Sequence, residues 1–202
     1  MIKIGITGII GSGKTTVSRI MEVLGVPVFY ADLEAKLLYN RSAVKQKIKA
    51  EFGEAVFDPD YKVNFQKLSD IVFNNKINLV KINDIIHPLV KEELIRWTEQ
   101  FSNTDICAYE SALLFESNFN TLFDFVINVS CPEDICIKRV MSRNNLTKQE
   151  VISRMKMQLS NAQKAERADF VINNEGDEFL IPQVLEIKQQ ITNYKFQANH
   201  KI

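Results

Sequence analysis

The chain has 202 residues, 46% of them apolar, enough for one folded domain with a substantial core and too many for a disordered chain. Lys plus Arg equals Asp plus Glu at 25 each, so bulk attraction to nucleic acid is not expected and an anion site must concentrate positive charge locally. Three scattered cysteines (Cys107, Cys131, Cys136), no signal-peptide pattern and no apolar run near the ~20 residues of a membrane span point to a reduced, cytoplasmic protein with no membrane partner.

"IKIGIT" (2–7) reads as a first strand, apolar on both faces. Past the loop that follows it, Val17, Ile20, Met21 and Leu24 recur at helical spacing, with Gly25 as the stop. "VPVFY" (26–30) is a second strand. Between 31 and 101 only helical patterns occur, which predicts a helical insertion. Ser42 is placed to cap a helix ending near Gly53, "FDPDYK" (57–62) reads as a turn or loop, and Asn64 is placed to cap a helix carrying Leu68, Ile71 and Val72. His87 and Pro88 fall between two helical segments.

"DICAY" (105–109), "FDFVINV" (123–129) and "DFVIN" (169–173) are three more strands. Pro132 fits the first turn of a helix running to about Arg143, and "TKQE" (147–150) and "SNAQ" (160–163) are capping boxes that open two more. A last helix is expected over about 178–193, with Pro182 near its start and "NYKFQANHKI" as a tail. Buried strands separated by helices predict an α/β fold with a mostly parallel five-stranded sheet covered on both faces.

The loop "GITGIIGSGKTT" (5–16) carries the chemistry. Gly8, Gly13, Lys14 and Thr15 satisfy G-x-x-x-x-G-K-[ST] between a strand and a helix, the context that this motif requires. Backbone N–H groups of Gly11, Ser12 and Gly13 and the helix N-terminus make a nest for a polyphosphate. Lys14 can reach the terminal phosphates, the Thr15 hydroxyl can hold Mg²⁺, and Thr16 can add a contact to the nucleotide. Ile9 stands at a variable position, so its side chain is expected to point away from the nucleotide with an ordinary negative φ.

A phosphate loop alone does not separate kinases from GTPases, motors and transporters. No glycine has Asp three residues before it, "NKIN" (75–78) lacks the Asp of a guanine-binding element, and "LSNAQ" (159–163) only weakly echoes a transporter signature. Arg139 and Arg143 share one helix face and Arg154 follows on the next helix, an arrangement that fits a mobile lid able to place positive charge over the phosphates. Asp32, just past the second strand, suits a base for an acceptor hydroxyl or a Mg²⁺ organiser, and equally a helix N-cap. Glu110 ends the third strand, as an acid near Mg²⁺ or as an ordinary strand-end carboxylate. Trp97 and the phenylalanines of the insertion can stack a base or fill a core.

Taken together these segments resemble the dephospho-coenzyme A kinase family. "TGIIGSGKTT" (7–16), "YAD" (30–32), "FGEAVFDPDYKVNFQKLSDIVF" (52–73), "IIHPLV" (85–90), "ESALLFE" (110–116), "RVMSRNNLTKQEVISRMKMQ" (139–158) and "ADFVINNEG" (168–176) follow its blocks in order. The resemblance implies ATP-dependent phosphorylation of the ribose 3′-hydroxyl of dephospho-CoA, the last step of CoA synthesis. It also implies a core (about 1–31, 102–138 and 159–202), a helical CoA-binding insertion (about 32–101) and a lid (about 139–158). By the same resemblance Asp32 is catalytic, Asp32, His87, Glu110 and Leu114 lie on the substrate side, and Asn174 to Gly176 border the adenine. The chain departs from the family pattern at Ile9, Tyr30, Phe65 and Ala112, and has Glu110 where the family has Asp. On residues alone, a nucleoside monophosphate or other small-metabolite kinase and a non-catalytic nucleotide-binding module remain alternatives.

Overall fold

The computed structural model describes residues 1–72 and 75–199, the side chains of 195–199 excepted. The strands are Ile2–Thr7 (β1), Val28–Tyr30 (β2), Ile106–Glu110 (β3), Phe125–Ser130 (β4) and Phe170–Asn173 (β5). The α-helices among the described residues are Lys14–Val23 (α1), Ala31–Leu38 (α2), Ser42–Phe52 (α3), Phe65–Val72 (α4), Lys76–Gln100 (α5), Glu133–Asn144 (α6), Lys148–Met155 (α7), Asn161–Arg167 (α8) and Leu180–Asn199 (α9).

The strands form one sheet in the order β2-β3-β1-β4-β5, with β1–β3, β1–β4 and β4–β5 parallel. Buried isoleucines explain why these runs are strands. Ile4 and Ile6 of β1, Ile127 of β4 and Ile172 of β5 are wholly buried, each contributing about 1.5–3 kcal/mol of burial. β2 is shorter than its apolar run because Pro27 has no N–H to give to a ladder, although its carbonyl still accepts from Ala108 (2.8 Å). The chain leaves β1 for β2 on one side of the sheet and leaves β4 for β5 on the other. The loop after β1 therefore opens at the carboxyl edge where the winding reverses, the usual ligand edge of such sheets.

The described residues of 1–29 and 101–199 make one unit and those of 30–100 another. In the first, α1 and α9 pack together, α1 against β1 and β3 and α9 against β5, while α8 packs on β4. Both predicted capping boxes are present. Thr147 closes α7 with Glu150, and Ser160 closes α8 with Gln163. Pro132 is the N-cap of α6 rather than a residue of its first turn. The segment expected as a tail from residue 193 is helical through Asn199, and residues 200–202, with His200, lie outside the described residues.

In the second unit, α5 packs on α2, α3 and α4. Asn64 caps α4 by accepting from the Lys67 N–H (3.0 Å), but α3 begins at Ser42 itself, after Arg41. Two further expectations are corrected. Asp32 is not an N-cap, because Tyr30 holds that position and Asp32 lies in the first turn of α2. His87 does not separate two helices, because α5 runs through Pro88. Buried Ile82, Ile85, Ile86, Val90 and Leu94 hold that helix together, and their burial exceeds the ~3 kcal/mol that an interior proline costs. No described helix is long and apolar enough to cross a membrane.

Candidate active site

β1 ends at Thr7 and the chain turns through residues 8–13 into α1. Glycines make the turn possible. Gly8 (φ 152°) and Gly13 (φ 98°) have positive φ, and there is no room for a side chain at either. A Cβ on Gly8 would strike Ser12 Oγ and the Val129 carbonyl, and one on Gly13 would strike the Asn174 amide. α1 then starts with no side-chain cap and no acidic residue in its first turn. Its N-terminal positive potential is left for an anion from outside.

The loop is lined from three directions. Lys14 is buried, and its ammonium donates to the Ile9 carbonyl (3.2 Å). Asn174, one residue past β5, donates from its side-chain amide to the Ser12 carbonyl (2.7 Å). The main-chain carbonyl of Asn174 accepts from Arg139 Nη2 (3.3 Å), and Arg139 Nη1 reaches Cys131 Sγ (3.4 Å). Ser12 Oγ is buried and has no hydrogen-bond partner among the described residues, which leaves a polar atom of the loop itself for a ligand.

On the β3 side, the Thr15 hydroxyl donates to the Glu110 carboxylate, 3.2 Å from Oε2 and 3.4 Å from Oε1. Strand register brings them together, since Ile6 of β1 lies opposite Glu110 of β3. A hydroxyl beside a buried carboxylate is a hard oxygen set of the kind that suits Mg²⁺. Among the described residues no group of three or more His, Cys, Asp or Glu is placed to hold a metal ion, and phosphate and water remain the expected source of further ligands.

Ile9 fits in the loop because its side chain turns inward. It is 3% exposed, its φ is not positive, and its side chain joins Cys131 and Cys136 in an apolar cluster with Ile135 and Met155 packed against it. The side chain thus points away from the phosphate nest. Burial, helped by neighbouring Cys131, pushes the Cys136 thiol up to about 12, in keeping with a packing role.

Similarity to known proteins agrees with this geometry. The family model for dephospho-CoA kinase (CoaE) matches residues 2–179. The chain belongs to the dephospho-CoA kinase family. A dephospho-CoA kinase of Bacteroides fragilis is 40% identical over 187 residues, covering 92% of this chain and 91% of that protein. Among solved structures, TT1252 of Thermus thermophilus aligns with a TM-score of 0.78 at 30% identity, over 94% of this chain and 96% of the other. A Campylobacter jejuni dephospho-CoA kinase aligns with a TM-score of 0.67 at 24% identity, over 96% and 98%, and shares the fold.

Of the residues singled out in the sequence of this kinase-family chain, Gly11, Ser12, Gly13, Lys14, Thr15 and Thr16 form the loop and helix start, with Arg139, Asn174 and Glu110 against them. Gly176 has a positive φ of 112° and open space around it. Leu114 is wholly buried with its methyl groups over Gly5 of β1, so it shapes the sheet beneath the loop. Arg143 is exposed, and its Nε donates to Asn144 Oδ1 (2.9 Å). Asn145 (φ 52°) ends α6 as its C-cap ahead of α7, and Arg154 sits in the last turn of α7. In the 30–100 unit, Asp32 is exposed on α2, and burial lowers the pKa of His87 against an opposing effect of Asp84.

Gln158, Glu116 and Lys164 carry contacts that their residue types alone do not announce. Gln158 Oε1 accepts from the Ile10 N–H (2.9 Å), and the buried Lys164 ammonium sits on Glu116 at 2.8 and 2.9 Å. The only advance signal was that Gln158 and Glu116 close two of the family-like blocks. Lys164 lies outside those blocks and had none.

Proposed function

We infer that this chain transfers the γ-phosphoryl group of ATP to the ribose 3′-hydroxyl of dephospho-CoA, giving CoA and ADP. Family membership over nearly the whole chain carries the activity. The observation that carries the site assignment is the uncapped start of α1 behind a glycine turn, with Lys14, Arg139 and Asn174 gathered on it.

The residues divide the work by their chemistry. Loop N–H groups from Gly11 to Thr16 bind the phosphates. Lys14 leaves the Ile9 carbonyl for the terminal phosphates and stabilises charge on the group in transfer. Arg139 and Asn174, with Gly176 next to them in the chain, hold the nucleotide. Arg143 and Arg154 belong to a lid of about 139–158 that adds positive charge and excludes water on closing. In this reading Arg143 exchanges its bond to Asn144 for phosphate. Asp32 accepts the proton of the attacking hydroxyl or orients it. The helical unit takes the CoA moiety, with His87 on the acceptor side and Glu110 and Leu114 shaping the sheet edge.

Thr15, with Glu110 beside it, would hold Mg²⁺. The ion, when bound, offsets the charge shared by the β- and γ-phosphates. A cytoplasmic location with small-molecule partners only, and no nucleic acid, completes the reading.

A coupled ADP-release assay over a panel of acceptors tests this function. Dephospho-CoA is expected to drive ADP formation well above the rate with nucleoside monophosphates, shikimate or no acceptor. Turnover on nucleotides with none on dephospho-CoA would overturn it.

A further inference from the structure

The Ile9–Ile10 peptide is held at both ends. Its carbonyl accepts from the Lys14 ammonium (3.2 Å) and from the Ser12 N–H (3.1 Å). Its N–H donates to Gln158 Oε1 (2.9 Å), a residue that follows α7. A trans peptide is planar, with N–H and C=O pointing in opposite directions, so an acceptor on one side fixes where the carbonyl points on the other.

Gln158 is itself firmly seated. Its N–H donates to the Met155 carbonyl (2.9 Å), and the next residue, Leu159, donates its N–H to Glu116 Oε1 (2.7 Å). Lys164, wholly buried, grips that same carboxylate and donates to the Ala112 carbonyl (2.9 Å). From the other side, Met155 of α7 packs on the cluster that contains the Ile9 side chain. Polar and apolar contacts from one short stretch, residues 155–159, therefore converge on Ile9 and Ile10.

We propose that Gln158 is a positioning residue for the phosphate loop: through the Ile9–Ile10 peptide it sets the resting place of the Lys14 ammonium, and so couples the end of α7 to the group that meets the nucleotide. Ile9 serves the same end. A β-branched residue narrows the backbone at a position where the family pattern has a glycine, and its side chain anchors the peptide that Gln158 orients. The proposal rests on the kinase reading for the importance of Lys14, but its geometry exists without acceptor or turnover.

Amide hydrogen exchange without nucleotide tests it first in the unaltered protein. The Ile10 amide is expected to exchange at least about tenfold more slowly than an open loop amide. Gln158→Met should abolish that protection, and Gln158→Glu, which keeps an acceptor at the same reach, should retain it. An unprotected Ile10 amide in the unaltered protein, or protection unchanged in Gln158→Met, overturns the proposal. Calorimetry with a non-hydrolysable ATP analogue reads the consequence. Gln158→Met leaves the Ile9–Ile10 peptide unoriented before nucleotide arrives, so binding should weaken about tenfold, with Tm lowered by no more than the few degrees that one hydrogen bond is worth. A lower Tm with unaltered nucleotide affinity would make Gln158 a structural residue and contradict the coupling. Nucleotide binding is read here without acceptor, so failure of the acceptor assignment would show separately, in the ADP-release assay.

Discussion

Asp32 shows how much a single side chain depends on its local setting. An Asp after a strand fits both a base and a helix cap, and residue type cannot choose between them. The structure removes the cap, because Tyr30 is the N-cap of α2 and no side-chain bond closes that helix start. The exposed carboxylate is then open to a chemical role. Asp32→Asn keeps size and polarity and removes the base, so kcat should fall by about 10²-fold or more while the KM for ATP changes little. Steady-state kinetics on both substrates checks this, and near-normal turnover would take Asp32 out of the mechanism. Ile9 was legible for a different reason. Only its backbone is required by a phosphate nest, so an apolar side chain there had to turn inward, and it lies with Cys131 and Cys136. Gln158 was not legible, because its value comes from a contact 148 residues away in sequence.

Elements governed by neighbours in sequence were readable, and those governed by distant packing were less so. The capping boxes at Thr147 and Ser160 need only residues three apart, and both formed as expected. α5 is the counter-case. A proline signals a break locally, but the signal is outweighed by five buried apolar residues held against α2, α3 and α4. Lys164 extends the point to electrostatics. Burial lowers its pKa, Glu116 opposes that effect, and the pair ties α8 to the segment after β3. Lys164→Met leaves a carboxylate without its partner and should cost about 3–5 kcal/mol in urea unfolding. Adding Glu116→Leu should recover part of that loss. A single variant as stable as the unaltered protein would show that the pair does not anchor α8.

At the scale of the whole molecule, the alternation of short β-branched runs with helical periods was enough to predict the five-stranded parallel sheet. The reason is physical, since strands buried on both faces, as β1, β3 and β4 largely are, must be apolar nearly throughout, while the edge strand β5 buries Ile172 and exposes Val171. What periodicity does not encode is strand order, which arises from crossovers and places the phosphate loop at the edge where winding reverses. The acceptor was not legible from the loop either, because a phosphate nest is common to many chemistries. The family blocks identified it, and family membership across residues 2–179 supports them. The most direct test is the identity of the product. Protein incubated with ATP, Mg²⁺ and dephospho-CoA should yield CoA, seen by ³¹P NMR as a new phosphomonoester on the ribose 3′-oxygen in step with ADP. ADP formed without that phosphomonoester, or phosphate found at another position, would contradict the account.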